Sequence, residues 1–145
     1  MNYQKPVTFL LYFFVLSYIV FFSPGRTSSG IQMQTVHLIP FSNTIHSYHA
    51  LTDHSLQSRL WFTISNFIGN IILFIPFPIL FLRPFGSHDR RWVVGGGVLC
   101  SFLIEYLQFT LKIGVADIDD LLLNTTGIFT GIYLWKLHTR KHSTA

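Results

Sequence analysis

Four runs of apolar residues, at positions 7–22, 61–82, 92–111 and 121–137, make up about half of this chain. The first (VTFLLYFFVLSYIVFF) and second (WFTISNFIGNIILFIPFPILFL) contain no charged residue, and the third contains one acid, Glu105. A helix that crosses a bilayer needs roughly 17 to 25 such residues. The runs therefore predict four spanning helices, with the first and last near the lower bound. Pro76 and Pro78 fall late in the second run and predict a kink or an end there. Neighbouring helices can satisfy the carbonyls freed in such a case. The expected fold class is all-α, a polytopic transmembrane bundle of about four helices. Composition agrees, because 11% charged residues is too few to cover a water-facing surface, which averages about 25%. The single cysteine, Cys100, excludes an internal disulfide and any CxxC metal site. A competing reading of the first run is a signal peptide, with Lys5 before it. The cleavage region after it, Ser-Pro-Gly-Arg-Thr-Ser-Ser, is a poor match to the small-residue pattern, so a retained helix is expected.

Basic residues set the expected orientation. With the N-terminus inside, Lys5, Arg83, Arg90, Arg91, Lys136, Arg140 and Lys141 are cytoplasmic, and Arg26, Arg59 and Lys112 are outside. The net charge of +4 is thus explained by topology. Its division among three short pieces excludes a nucleic-acid patch. Trp61, Trp92 and Trp135 lie near the proposed helix ends, as an interfacial belt requires. The expected organisation is residues 1–35 as the first helix and the start of an outer loop, 36–137 as the membrane domain, and 138–145 as a basic cytoplasmic tail. The expected location is the cytoplasmic membrane, crossed several times. In the long outer connection, 23–60, an apolar LIPF at 38–41 is expected to lie in the interface or fold back on the bundle.

Polar side chains inside a membrane are costly, so each needs a reason. Asn66 and Asn70 are four apart. Ser101, Glu105 and Gln108 are spaced four and three, and Asp117, Asp120 and Asn124 three and four. Each set shares one helix face. At ~1.5 Å per residue, Glu105 lies about 20 Å beyond Trp92. That places it at the level of the other two stripes, in the outer half of the bilayer. The three stripes are expected to converge on an acid-lined pocket open to the outer face.

Structural explanations stand beside this reading. Asp117 and Asp120 can be an N-cap and an acid favoured by the helix dipole. Ser101, Asn66 and Asn70 can be hydrogen-bonding glue between helices. Glu105 has no such simple explanation, although Lys112 is within reach as a partner. The run Gly95, Gly96, Gly97 and the pair Gly127 and Gly131 predict close helix packing. His46, His49 and His54, with Asp53 between them, lack the HExxH spacing of a zinc site. No GxSxG or Gly-rich phosphate loop is present, and no cofactor is expected. A hard cation held by Glu105, Asp117 and Asp120, with Asn70 or Asn124, is a minor alternative.

These residues resemble the VanZ-like family of small bacterial membrane proteins. The resemblance is carried by LIPF at 38–41, NFIGNIILFIP at 66–76, SFLIEYLQ at 101–108 and ADIDDLLLNTTGIFTG at 116–131. It covers roughly residues 36–136, and its specificity lies in four pieces occurring in order. It implies a helical domain of the cytoplasmic membrane. It also implies a link to reduced sensitivity to teicoplanin, a lipoglycopeptide acting outside that membrane. Asn70, Glu105, Gln108, Asp117, Asp120 and Asn124 occupy the matching positions. The sequence departs from the pattern at Gly114, where a basic residue usually precedes the acidic motif, and at Phe77 and Pro78, where a glycine usually follows.

Three functions compete. The first is a non-catalytic protein that takes a lipid-linked or amphiphilic ligand from the outer leaflet. The second is a membrane enzyme for a lipid-linked envelope precursor, with Glu105 and Asp117 or Asp120 as acid and base. The third is a small proton-coupled carrier, supported only by Glu105. The bilayer is the one partner all three require.

Overall fold

The computed structural model describes residues 4–22, 36–37, 39–40, 56–85, 89–113 and 116–143. Nearly all of them are helical: α1 (Gln4–Phe22), α2 (Leu56–Phe74), α3 (Pro76–Phe85), α4 (Arg90–Thr110) and α5 (Ile118–Ser143). Two short strands, β1 (Val36–His37) and β2 (Ala116–Asp117), pair in parallel, Val36 with Ala116 and His37 with Asp117. The helical class is as expected, and this one pairing, an addition to it, is too short to leave a pattern in the sequence. Of the LIPF segment, Ile39 and Pro40 are exposed, and Leu38 and Phe41 lie outside the described residues. So do His46, His49, Asp53 and His54, along with Gly114.

The helix ends follow from local chemistry. The second apolar run is divided at Ile75, with Pro76 as the first residue of α3. Proline is tolerated there because the first helical N–H has no partner in any case. The Ile75 N–H donates to the Ile72 carbonyl at 3.4 Å, and the Tyr12 hydroxyl of α1 donates to the Leu73 carbonyl at 2.9 Å. A neighbouring helix thus supplies a hydrogen bond at the break. α4 begins at Asp89, whose carboxylate accepts from the Arg91 N–H at 3.1 Å, an N-cap. It ends with Ile113 N–H donating to the Gln108 carbonyl and Lys112 N–H to the Phe109 carbonyl. Lys112 itself has φ of 57°. This bond pair is the Schellman termination, which places one residue in the left-handed region.

α5 packs against α2, α3 and α4, and α1 lies on α3. Two glycines permit this closeness. A Cβ on Gly127 would strike the Ile71 carbonyl oxygen, and one on Gly131 the Ile75 carbonyl oxygen, so α5 sits directly on the α2–α3 break. Gly97 likewise faces Ile128, at 2.5 Å from a would-be Cβ. Gly95 and Gly96 face open space, which corrects the expectation that the whole run serves packing.

An apolar half of the bundle holds Phe9, Phe13, Phe77 and Phe81. The Phe9–Phe81 and Phe77–Phe81 ring centroids are 5.0 and 4.6 Å apart. Elsewhere a buried apolar cluster, Leu16, Val20, Phe74, Ile104 and Ile128, lies beside seven buried polar residues, Asn70, Ser101, Glu105, Gln108, Asp119, Asp120 and Asn124. Large apolar side chains instead point outward along α1, α2, α4 and α5, among them Phe14, Ile68, Phe102 and Phe129. Two stretches, Thr63–Leu82 and Arg90–Thr110, are long and apolar enough to cross a membrane, and only 22% of each is buried. The apolar part of α1 is the shorter Val7–Phe21.

Candidate functional site

The buried polar residues gather toward the end of the bundle where α1 and α4 finish and α5 starts, against the second half of α2. Asp117 begins the site. As the last residue of β2 it precedes α5, and its carboxylate accepts from the Asp119 N–H at 2.9 Å, the N-cap geometry. Its own N–H donates to Glu105 Oε2 at 3.2 Å, which ties the start of α5 to α4. One turn into α5, Asp120 Oδ1 accepts from two carboxamides of α2, Asn66 at 3.0 Å and Asn70 at 2.6 Å. One turn deeper, Asn124 Nδ2 donates to Ser101 Oγ of α4 at 2.8 Å. Gln108 Nε2 reaches the Val20 carbonyl near the end of α1 at 3.1 Å. Four helices are thus joined by side chains from all three polar stripes.

Asn66, Asn70 and Asp120 make one group, Ser101 and Asn124 a second, and Glu105 and Asp117 a third. Gln108 turns to α1. Two buried acceptors, Gln108 Oε1 and Asn124 Oδ1, have no hydrogen-bond partner among the described residues. Asp119 is a member that stripe spacing missed. It lies off the face shared by Asp117, Asp120 and Asn124, yet is only 6% exposed. The partnership expected between Lys112 and Glu105 is absent. Lys112 is exposed and makes no ion pair among the described residues, because the chain turns through a left-handed residue at that point. The cation alternative also fails. No group of three acids, histidines or cysteines among the described residues could hold a metal ion.

The Glu105–Asp117 pair lines a groove of about 220 Å³ between α4 and the β2–α5 junction. Phe102, Tyr106 and Phe109 form the α4 wall; Ala116, Ile118 and Leu121 form the other. The remaining buried polar residues are not among its lining. They brace the helices that carry the groove.

Seven buried polar side chains, large apolar ones on the outside and two helical stretches of spanning length set this bundle apart from a water-soluble domain, in which charged and amide side chains are rarely buried. The sequence matches the VanZ/LLP1 family over residues 9–139, and the chain belongs to that family. The match takes in α1, which the four motif pieces did not include. The chain is also 32% identical over 102 residues to Protein VanZ of Enterococcus faecium. That alignment covers 68% of this chain and 61% of the relative, so the chain spans less than two thirds of the relative's length. No solved structure matches.

Proposed function

We propose that this chain crosses the cytoplasmic membrane four times, with both ends inside, and that its polar end takes a lipid-linked or amphiphilic ligand from the outer leaflet. By doing so it lowers sensitivity to teicoplanin-type lipoglycopeptides. The observation that carries the reading is the groove itself, an almost wholly apolar hollow walled by aromatic and aliphatic side chains beside the Glu105–Asp117 pair. Such a site suits the apolar part of an amphiphile. The surroundings support it, since Phe102 and Tyr106 on its wall are 56% and 55% exposed, and rings exposed on a spanning helix face lipid. The positive-inside distribution puts this end outside. The membership of the chain in the VanZ/LLP1 family connects the site to the drug.

The test is growth under teicoplanin of a sensitive host expressing the wild-type chain, Glu105→Gln or Asp117→Asn. The wild type is expected to raise the inhibitory concentration, and both variants to lose that effect at equal membrane abundance. A wild type that changes neither drug sensitivity nor lipid binding overturns the reading.

A further inference from the structure

We infer that the end of the bundle opposite the groove holds anionic phospholipid head groups of the inner leaflet. The inference rests on the four-span reading above and is separate from what the groove takes. The bond from Asn124 to Ser101 and the approach of Gly97 to Ile128 set α4 and α5 side by side in one antiparallel register. Continued seven residues past Gly97 and Ile128, that register puts Arg90, the first residue of α4, level with Trp135 of α5. Trp92 and Tyr133, 81% and 61% exposed, then share a level. From Trp92 to the end of α4 at Thr110 is ~27 Å, close to the ~30 Å of a hydrocarbon core. In a spanning chain these two rings stand at its inner border. α5 does not stop there. It runs on to Ser143, ~12 Å past the start of α4. A head-group layer is about 5 to 8 Å deep on each side, so the end of α5 passes through the level of the lipid phosphates.

The side chains at that level are basic. Lys136 and Arg140 share a helix face with Tyr133, Arg90 and Arg91 open α4, and all four are exposed. Helix electrostatics do not account for them. The dipole favours cations only within a final turn, and Lys136 lies seven residues before the end of α5. Arg90 and Arg91 occupy a first turn, where the dipole opposes positive charge. Among the described residues the one acid at this end is Asp89, and Glu105, Asp117, Asp119 and Asp120 are at the other. The contact of Asp89 with Arg91 is 3.9 Å long, with side chains 53% and 92% exposed, and an ion pair so open to water is weak. An anionic head group supplies the charge this collar lacks. Each Lys or Arg near such a surface adds roughly fivefold to its attraction, so the collar selects lipids by charge.

The experiment uses the full chain in nanodiscs of phosphatidylcholine, with Trp61→Phe so that Trp92 and Trp135 are the fluorophores. Phosphatidylglycerol with brominated chains is titrated in, and in parallel brominated phosphatidylcholine, and quenching reports which lipid sits against the two rings. The glycerol lipid is expected to quench at about tenfold lower mole fraction in dilute salt. At about 1 M salt the difference is expected to fall to about twofold, because screening shortens the reach of exposed charges. Lys136→Gln combined with Arg140→Gln is expected to reduce the dilute-salt preference to about twofold. Both positions are exposed, so the buried bonds stay intact. Lys112→Gln, at the other end, is expected to leave the preference unchanged. Equal quenching by the two lipids in dilute salt overturns the collar, and so does a preference that survives the double substitution. Loss of the preference on adding inorganic phosphate at matched ionic strength assigns the cations to a soluble phosphate and overturns the lipid. Quenching by neither lipid puts the rings outside the membrane and overturns the four-span reading with the collar.

Discussion

Asp120 receives two amide donors on one oxygen, from Asn66 at 3.0 Å and Asn70 at 2.6 Å, and is only 7% exposed. Removing it takes this acceptor from the buried Asn70 carboxamide and the half-buried Asn66 one. Hydrogen bonds between membrane helices are worth about 0.6 to 2 kcal/mol each, and bonds to a charged group about 1.5 to 3 kcal/mol. Asp120→Ala is therefore expected to destabilise the bundle by about 2 to 3 kcal/mol. Asp120→Asn, which keeps an acceptor oxygen, is expected to cost about half as much. Unfolding in a graded denaturing detergent measures both; equal losses in the two variants would show that the charge of the carboxylate, not an acceptor oxygen alone, is what matters. At this scale the sequence was readable in part. Spacing of four placed Asn66 with Asn70, because helix geometry makes that face inevitable, whereas Asp117 precedes the helix that carries Asp120. Spacing could not say which stripe bonds which. Nor could it find Asp119, which is off the stripe, or Val20, which contributes only a backbone carbonyl and so leaves no trace in its side chain.

The elements divide along the same line. Long apolar runs announced the helices, and proline chemistry announced the break at Ile75, because both effects are local. The β1–β2 pairing joins residues 36–37 to 116–117, and no local signal predicts a contact of two residues across such a distance. The glycines show the difference most directly. Read from sequence, Gly95, Gly96, Gly97, Gly127 and Gly131 are alike. In the structure Gly127 and Gly131 lie against backbone carbonyls of the α2–α3 break, whereas Gly95 and Gly96 face open space. A backbone oxygen cannot swing aside as a side chain can. Gly127→Ala is expected to cost about 2 to 3 kcal/mol, the scale of an overpacked core. Gly95→Ala and Gly96→Ala are expected to be neutral or to stabilise by about 0.5 to 1 kcal/mol through helix propensity. Thermal unfolding in mild detergent separates these outcomes. A Gly95→Ala variant as damaged as Gly127→Ala would mean that the Gly95 face meets a second copy of the chain.

For the molecule as a whole, the question is which side of the membrane the polar end occupies. The chain alternates direction: α1 and α4 finish at the polar end, where Val20 meets Gln108, and α5 begins there, with Asp120 against Asn70 in the second half of α2. Arg90 and Arg91 start α4 at the opposite end, and Lys136 and Arg140 lie toward the far end of α5. Basic residues are retained on the cytoplasmic side, so the far end is expected inside and the groove outside. Burial determines where this is tested. Gln108, Asp120 and Asn124 are too enclosed for a bulky reagent to reach, at 1%, 7% and 3% exposed, so silence there would carry no information. Leu111, 60% exposed, and Lys112 stand at the polar end, and Arg90 is exposed at the other. With Cys100 replaced by serine, a membrane-impermeant thiol reagent is expected to label Leu111→Cys and Lys112→Cys on intact cells, and Arg90→Cys only after permeabilisation. The reverse pattern would turn the groove toward the cytoplasm. A ligand drawn from the outer leaflet would then be ruled out, while the hydrogen-bonded lattice that holds the helices together would be untouched. The result therefore bears on function alone, because the same set of buried bonds forms whichever way the chain is inserted.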